Sequence, residues 1–132
     1  AQALGIAEGA FKIAVDYMKE REHFGKPIFK QQYLAFKMAE LYADIEKAEL
    51  VLYKAACLKE ADKPFTTAAA VAKLTCTDVA MKVTTECVQM LGGNGYMKEY
   101  HVERMMRDAK ITQIYEGTNE IQKLVISGGL FR

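Results

Sequence analysis

The side chains able to do chemistry fall at a few places along the chain. Glu116 stands between Tyr115 and Gly117, just ahead of a helical pattern that sets in at Ile121. A loop carboxylate flanked by apolar residues is partly shielded from water, which raises its pKa and makes it a competent base. An exposed loop glutamate is the commoner reading of the same spacing. Glu20 and His23 have the Glu-x-x-His spacing that places two metal ligands on one helix face. A di-iron bundle needs that motif twice, plus two further glutamates. The other histidine, His101, has Lys98 three residues before it; a solvated surface histidine is the better reading, and no metal is expected. Gly92-Gly93-Asn94-Gly95 follows a helical stretch rather than a strand, the wrong context for a βαβ dinucleotide fingerprint. It reads as a helix C-cap and turn, with the second option that side-chain-free backbone approaches a cofactor closely. Arg104, Arg107, Asp108 and Lys110 read as a charged helix face with local ion pairs, and Met105 and Met106 as core filling.

Long helices must position these groups. Pro27 and Pro64 divide the sequence. The first stretch runs from about Leu4 to Glu22, with Leu4, Ala7, Phe11, Ala14 and Met18 on one apolar face. Gly25-Lys26-Pro27 stops it. The second runs from about Lys30 to Ala61, a helix on the order of 45 Å long, with a stripe of Leu34, Met38, Leu41, Ile45, Ala48, Leu52 and Ala55. The third runs from near Thr66 to Gly92-Gly93, its stripe being Ala72, Cys76, Val79, Val83, Cys87 and Met90. Val102, Met105, Met106 and Ala109 suggest a short helix. Tyr115 to Asn119 is a turn, and Ile121, Leu124 and Val125 begin a last helix. Asn119 and Gln122 offer a capping box, with Thr118 a rival cap. No period-2 segment of useful length competes, so the fold class is all-α, a helix bundle.

At 132 residues the chain is long enough for one core and too short for two, so residues 1–132 form one domain. The formal charge is +1, which leaves no field to gather nucleic acid or an anionic membrane. No apolar run approaches the ~20 residues that span a bilayer. Cys57, Cys76 and Cys87 are odd in number and lack a CxxC pair. They read as reduced, mostly buried thiols of a cytosolic or matrix-like compartment. The chain opens Ala1-Gln2-Ala3-Leu4 in a helical pattern and without an initiator methionine, so we expect an excised piece of a longer protein.

Three segments together carry a family resemblance. Arg21-Glu22-His23-Phe24-Gly25-Lys26-Pro27-Ile28 with Gln32 resembles the RxxFG segment of acyl-CoA dehydrogenases. Gln89-Met90-Leu91-Gly92-Gly93-Asn94-Gly95-Tyr96 resembles the family's glutamine-to-glycine segment. Arg107-Asp108-Ala109-Lys110-Ile111, leading into Ile114 through Gln122, resembles its catalytic loop. The segments occur in the family's order and cover essentially the whole chain.

The resemblance implies a four-helix bundle, the third domain of a subunit whose helical and β-rich first two domains are not in this sequence. It implies FAD held between domains and across a subunit interface, in a homo-oligomer whose parent is a tetramer. Carried over by position, Arg21 meets the pyrophosphate of a neighbouring subunit's FAD, with Phe24 and Gln32 at the same interface. Gln89, Met90, Leu91, Gly92 and Gly93 meet the adenosine half, partly through backbone. Thr118, Asn119 and Glu120 lie on the cofactor side, and Tyr115 and the Gly117 backbone on the substrate side. Glu116 matches the catalytic base, which takes an α-proton from an acyl-CoA thioester while a hydride passes from the β-carbon to the flavin. The product is a trans-2-enoyl-CoA, and an electron-transfer flavoprotein takes the electrons. Gly128 stands where some medium-chain members have arginine, and the whole looks closest to short-chain, butyryl-CoA members. Such a protein works in the cytoplasm of a bacterium or the mitochondrial matrix of a eukaryote. The 132-residue chain alone is expected to be inactive and to self-associate as a dimer or larger.

Overall fold

Small side chains decide how closely these helices approach. In the computed structural model, which describes residues 1–131, the first helix, α1, spans Gln2–Glu20. It buries Ala3, Leu4, Ala7, Ala10, Ala14 and Met18. Phe11 lies beside that alanine seam, half-buried, with its ring 6.1 Å from that of Tyr42. The seam faces α3 (Thr66–Leu91), which follows α2 (Gln32–Glu60) in the chain. Lys37 pairs with Glu86, Asp44 with Lys82, and the Cys76 thiol donates to the Ala48 carbonyl. Numbers rise on one helix as they fall on the other, so α2 and α3 run antiparallel. Two shorter helices, α4 (Val102–Thr112) and α5 (Asn119–Leu130), also pack on α3. Among the described residues the all-α bundle is therefore built of five helices, four of them packed on a central α3. Met18, Leu41, Val83 and Val102 are fully enclosed, each such side chain contributing about 1.5–3 kcal/mol.

Two local features differ from the sequence reading. α1 ends at Glu20 rather than Glu22, because Arg21 turns extended and its carbonyl accepts from the Ile28 N–H. A two-stranded hairpin follows, β1 (Glu22–His23) against β2 (Lys26–Pro27). Its two-residue turn has both Phe24 and Gly25 left-handed, at φ 54° and 75°, the geometry that suits strand twist. So short a strand pair leaves no alternating pattern to read. Gly92 is the C-cap of α3, as read, and residues Gly92–Tyr96 coil as a 3-10 turn. Ile121, Leu124 and Val125 all face outward, because α5 approaches α3 through Gly129, packed against Thr67. Among the described residues no helix is long and apolar enough to cross a membrane. Cys76 and Cys87 are buried as expected, whereas Cys57 is exposed.

Candidate active site

The loop between α4 and α5 is shaped by backbone that most residues avoid. Glu116 has φ 55° and Gly117 φ 84°, two left-handed residues in succession. For a residue with a Cβ this conformation is strained. The surrounding contacts hold it. Gln122 Nε2 reaches back to the carbonyls of Glu116 and Gly117 at 3.4 and 3.1 Å. The Tyr115 hydroxyl donates to Gln2 Oε1 at 2.6 Å, across from the start of α1. The Asn119 N–H closes the loop on the Gln113 carbonyl at 3.0 Å. Thr118, not Asn119, caps α5: its hydroxyl accepts from the Ile121 N–H. Gln122 is spent on the loop carbonyls, so of the two caps the sequence offered it is Thr118 that forms. Glu120, in the first turn of α5, is held below the usual carboxylate range by its own backbone N–H and the Thr118 hydroxyl.

Glu116 itself is exposed, the commoner of the two readings its spacing allowed. It borders a cleft of about 330 Å³ walled by Leu52, Ala55, Ala69, Ala72 and Cys76, with Tyr115 beside it. Lys73 brings a cationic side chain to that wall. Burial pulls its pKa below the usual lysine range, with Asp78 and Glu120 opposing. Lys73 Nζ donates to Asn119 Oδ1 at 2.8 Å, and the Thr77 hydroxyl lies 3.1 Å from the same oxygen. Asn119 is only 6% exposed, its amide engaged by Lys73, Thr77 and Asp78 within the bundle, although it also borders the hollow that Thr118 and Glu120 line. Thr118 and Glu120 do face outward, around a smaller hollow with Lys110 and Lys123.

A second groove, of about 630 Å³, opens at the other end of α3. Arg21 and Gln89 through Gly93 line it together. Met90 and Leu91 turn their side chains into the core, so they offer the groove backbone. Gly92, at φ 60° and ψ −139°, takes a conformation only glycine adopts readily. Asn94 donates to the Tyr17 hydroxyl at 3.0 Å and fixes the turn onto α1. Gln31 rather than Gln32 borders the groove, and Phe24 stands away from it at the hairpin tip, 94% exposed. Along α3 the two sites are separated by roughly 20 Å.

Glu20 and His23 do not share a helix face, since α1 ends between them. Lys73, Thr77, Asp78, Gln113 and Gln2 were not singled out from the sequence. Lys73 and Thr77, one turn apart on one side of the third helical stretch, were the signal available for them.

The family model for the C-terminal domain of acyl-CoA dehydrogenases matches residues 1–131. A short-chain-specific acyl-CoA dehydrogenase of Clostridium acetobutylicum is 62% identical over 132 residues, covering 100% of this chain and 35% of that protein. The structure of butyryl-CoA dehydrogenase from Megasphaera elsdenii superposes with a TM-score of 0.98 at 59% identity, covering 99% of this chain and 34% of that one. A chain in a structure of the electron transferring flavoprotein of Acidaminococcus fermentans matches equally well, TM-score 0.98 at 56% identity, over 99% of this chain and 34% of that chain. The sequence thus spans about a third of the length of these relatives. With the match running from end to end, the chain belongs to the acyl-CoA dehydrogenase family, as its C-terminal domain.

Proposed function

We propose that this domain serves a FAD-dependent dehydrogenase that oxidises short-chain acyl-CoA to trans-2-enoyl-CoA, with Glu116 as the base. The observation that carries the reading is Glu116 itself, held left-handed on a braced loop at the rim of an apolar cleft. A carboxylate fixed there can take an α-proton from a thioester lying along the cleft, and Gly117 leaves room for it. Tyr115, tied to Gln2, keeps the loop against the cleft mouth.

The far groove fits the phosphorylated part of FAD. A guanidinium holds phosphate oxygens through paired hydrogen bonds, and Arg21 supplies one beside Gln89 and the bare backbone of Gly92-Gly93. The bound FAD supplies the hydride-accepting chemistry. The separation of the two sites along α3 supports their serving different flavins, with Arg21 reaching that of a neighbouring subunit. Phe24, projecting from the hairpin, and the outward Ile121, Leu124 and Val125 are apolar groups that a homo-oligomer or the remaining domains would cover. An electron-transfer flavoprotein is the acceptor, and the site of action is the bacterial cytoplasm or the mitochondrial matrix according to source.

The test is anaerobic addition of butyryl-CoA to the flavin-loaded full-length parent and its Glu116→Gln variant, followed by flavin absorbance. Bleaching in the parent alone supports the reading. Bleaching in both moves the base elsewhere, and an unbleached flavin in both rejects a short straight-chain substrate.

A further inference from the structure

The loop that carries Glu116 hangs by both stems from one carboxylate oxygen on α3. Gln113, at the end of α4, donates its Nε2 to Asp78 Oδ1 at 2.7 Å. Asn119, at the start of α5, donates its Nδ2 to the same atom at 2.8 Å. The Asn119 amide is further engaged by Thr77 and Lys73. We propose that Asp78, acting through Gln113 and Asn119, is a positioning residue that sets where the Glu116 carboxylate sits. This rests on the reading of Glu116 as the base.

The physical case is geometric. Glu116 lies midway between the two stems, and it and Gly117 are both left-handed, at φ 55° and 84°. A strained segment keeps its shape only while its ends are held. Gln113 and Asn119 are also joined through backbone, N–H to carbonyl at 3.0 Å, so Asp78 closes a ring on the pinch point of the loop. Without that oxygen, Gln113 loses its tie to α3 and the buried Asn119 amide loses one of its partners. The loop is then free to relax toward ordinary backbone, which displaces the carboxylate. Misplacement of a reacting group by about 1 Å costs on the order of a hundredfold in rate. Asp78 touches neither the apolar cleft nor the Arg21 groove, but it lines the smaller hollow with Thr118 and Glu120, so flavin content is the readout that separates loop placement from a cofactor contact.

The experiment uses the flavin-loaded full-length enzyme with butyryl-CoA, comparing the parent with Asp78→Ala, Asp78→Asn, Gln113→Ala and Glu116→Gln. Rates are expressed per bound flavin, and exchange of the substrate α-hydrogen with D2O is followed beside turnover. The expected result for Asp78→Ala is a kcat lowered roughly 10- to 100-fold, with α-hydrogen exchange falling in parallel and KM and flavin content close to the parent's. Asp78→Asn, which keeps an acceptor oxygen, should recover most of the loss. If Asp78→Ala fails to fold, Gln113→Ala decides: a lowered kcat at unchanged KM supports the clamp, and parental kcat overturns it. Parental turnover and exchange in folded Asp78→Ala also overturn it while leaving the base reading intact, provided Glu116→Gln is inactive. Parental turnover in Glu116→Gln removes the base reading and this inference with it.

Discussion

Three glycines in one turn make a graded test of the far groove, because each answers to a different physical constraint. A Cβ on Gly95 would lie 2.4 Å from the Val88 carbonyl oxygen and 2.9 Å from its Cα. The obstacle is helix backbone, which cannot swing aside, so the turn itself must retreat from α3 by about 1 Å. Overpacking of this kind costs about 1–3 kcal/mol, and Gly95→Ala should reach the upper part of that range. Gly92 has open space around it, but φ 60° with ψ −139° penalises any Cβ; Gly92→Ala should lose ~1–3 kcal/mol through backbone strain. Gly93 has neither a near neighbour nor a positive φ, so Gly93→Ala should stay within about 0.5 kcal/mol of the parent. For a chain of this length each kcal/mol lowers Tm by roughly 4 °C. Thermal unfolding of the 132-residue chain by circular dichroism should therefore separate Gly92→Ala and Gly95→Ala from the parent and leave Gly93→Ala beside it. In the flavin-loaded full-length protein, Gly93→Ala should instead lose flavin at unchanged apoprotein stability, since its added methyl group stands in the groove. A Gly95→Ala chain melting with the parent would refute the packing argument, and tight flavin retention by Gly93→Ala would refute the backbone cradle.

Two further predictions concern the bundle. Burial pushes the Cys87 thiol up to about 12 and raises that of Cys76, whereas Cys57 is exposed. A thiol-reactive dye at pH 8 should label Cys57 alone in the native chain and all three cysteines after denaturation; native labelling that survives Cys57→Ser would contradict the packing. Asp44 sits between Lys82 and Lys47 at 2.7 and 3.0 Å, and these ammonium groups hold its carboxyl below the usual range. A lowered folded pKa means the stabilisation is complete above the unfolded value of about 3.9 and is lost as pH falls through the folded one. Asp44→Asn should cost about 0.5–1 kcal/mol at pH 7 and less at pH 2, measured by urea unfolding at both. An equal cost at the two pH values would mean the pair acts through packing rather than charge.

The sequence by itself determined the helices, and two of the groups they carry. Pro27 and Pro64, the stripes through Met18, Leu41 and Val83, and the motif around Glu116 are properties of residues near one another in the chain. Periodicity and helix-stopping chemistry act over a few residues, so they can be read in one dimension. Arg21 and Gln89 through Gly93, each recognisable by its own segment, were read as meeting different parts of a cofactor, and it is the fold that brings them to one groove. The tertiary structure decided which side chains meet. Asn119, grouped with the cofactor residues by its neighbours Thr118 and Glu120, turns inward because Thr77 and Asp78, 42 and 41 positions away, offer its amide partners. Asp78 gathers Gln113 from 35 positions away, and Tyr115 finds Gln2 across 113. The outward face of Ile121, Leu124 and Val125 has the same origin, since the side of α5 that is buried is set by where α3 lies and by the close approach at Gly129. Contacts of that range depend on how α3 lies against its four neighbours, and no local spacing records that arrangement.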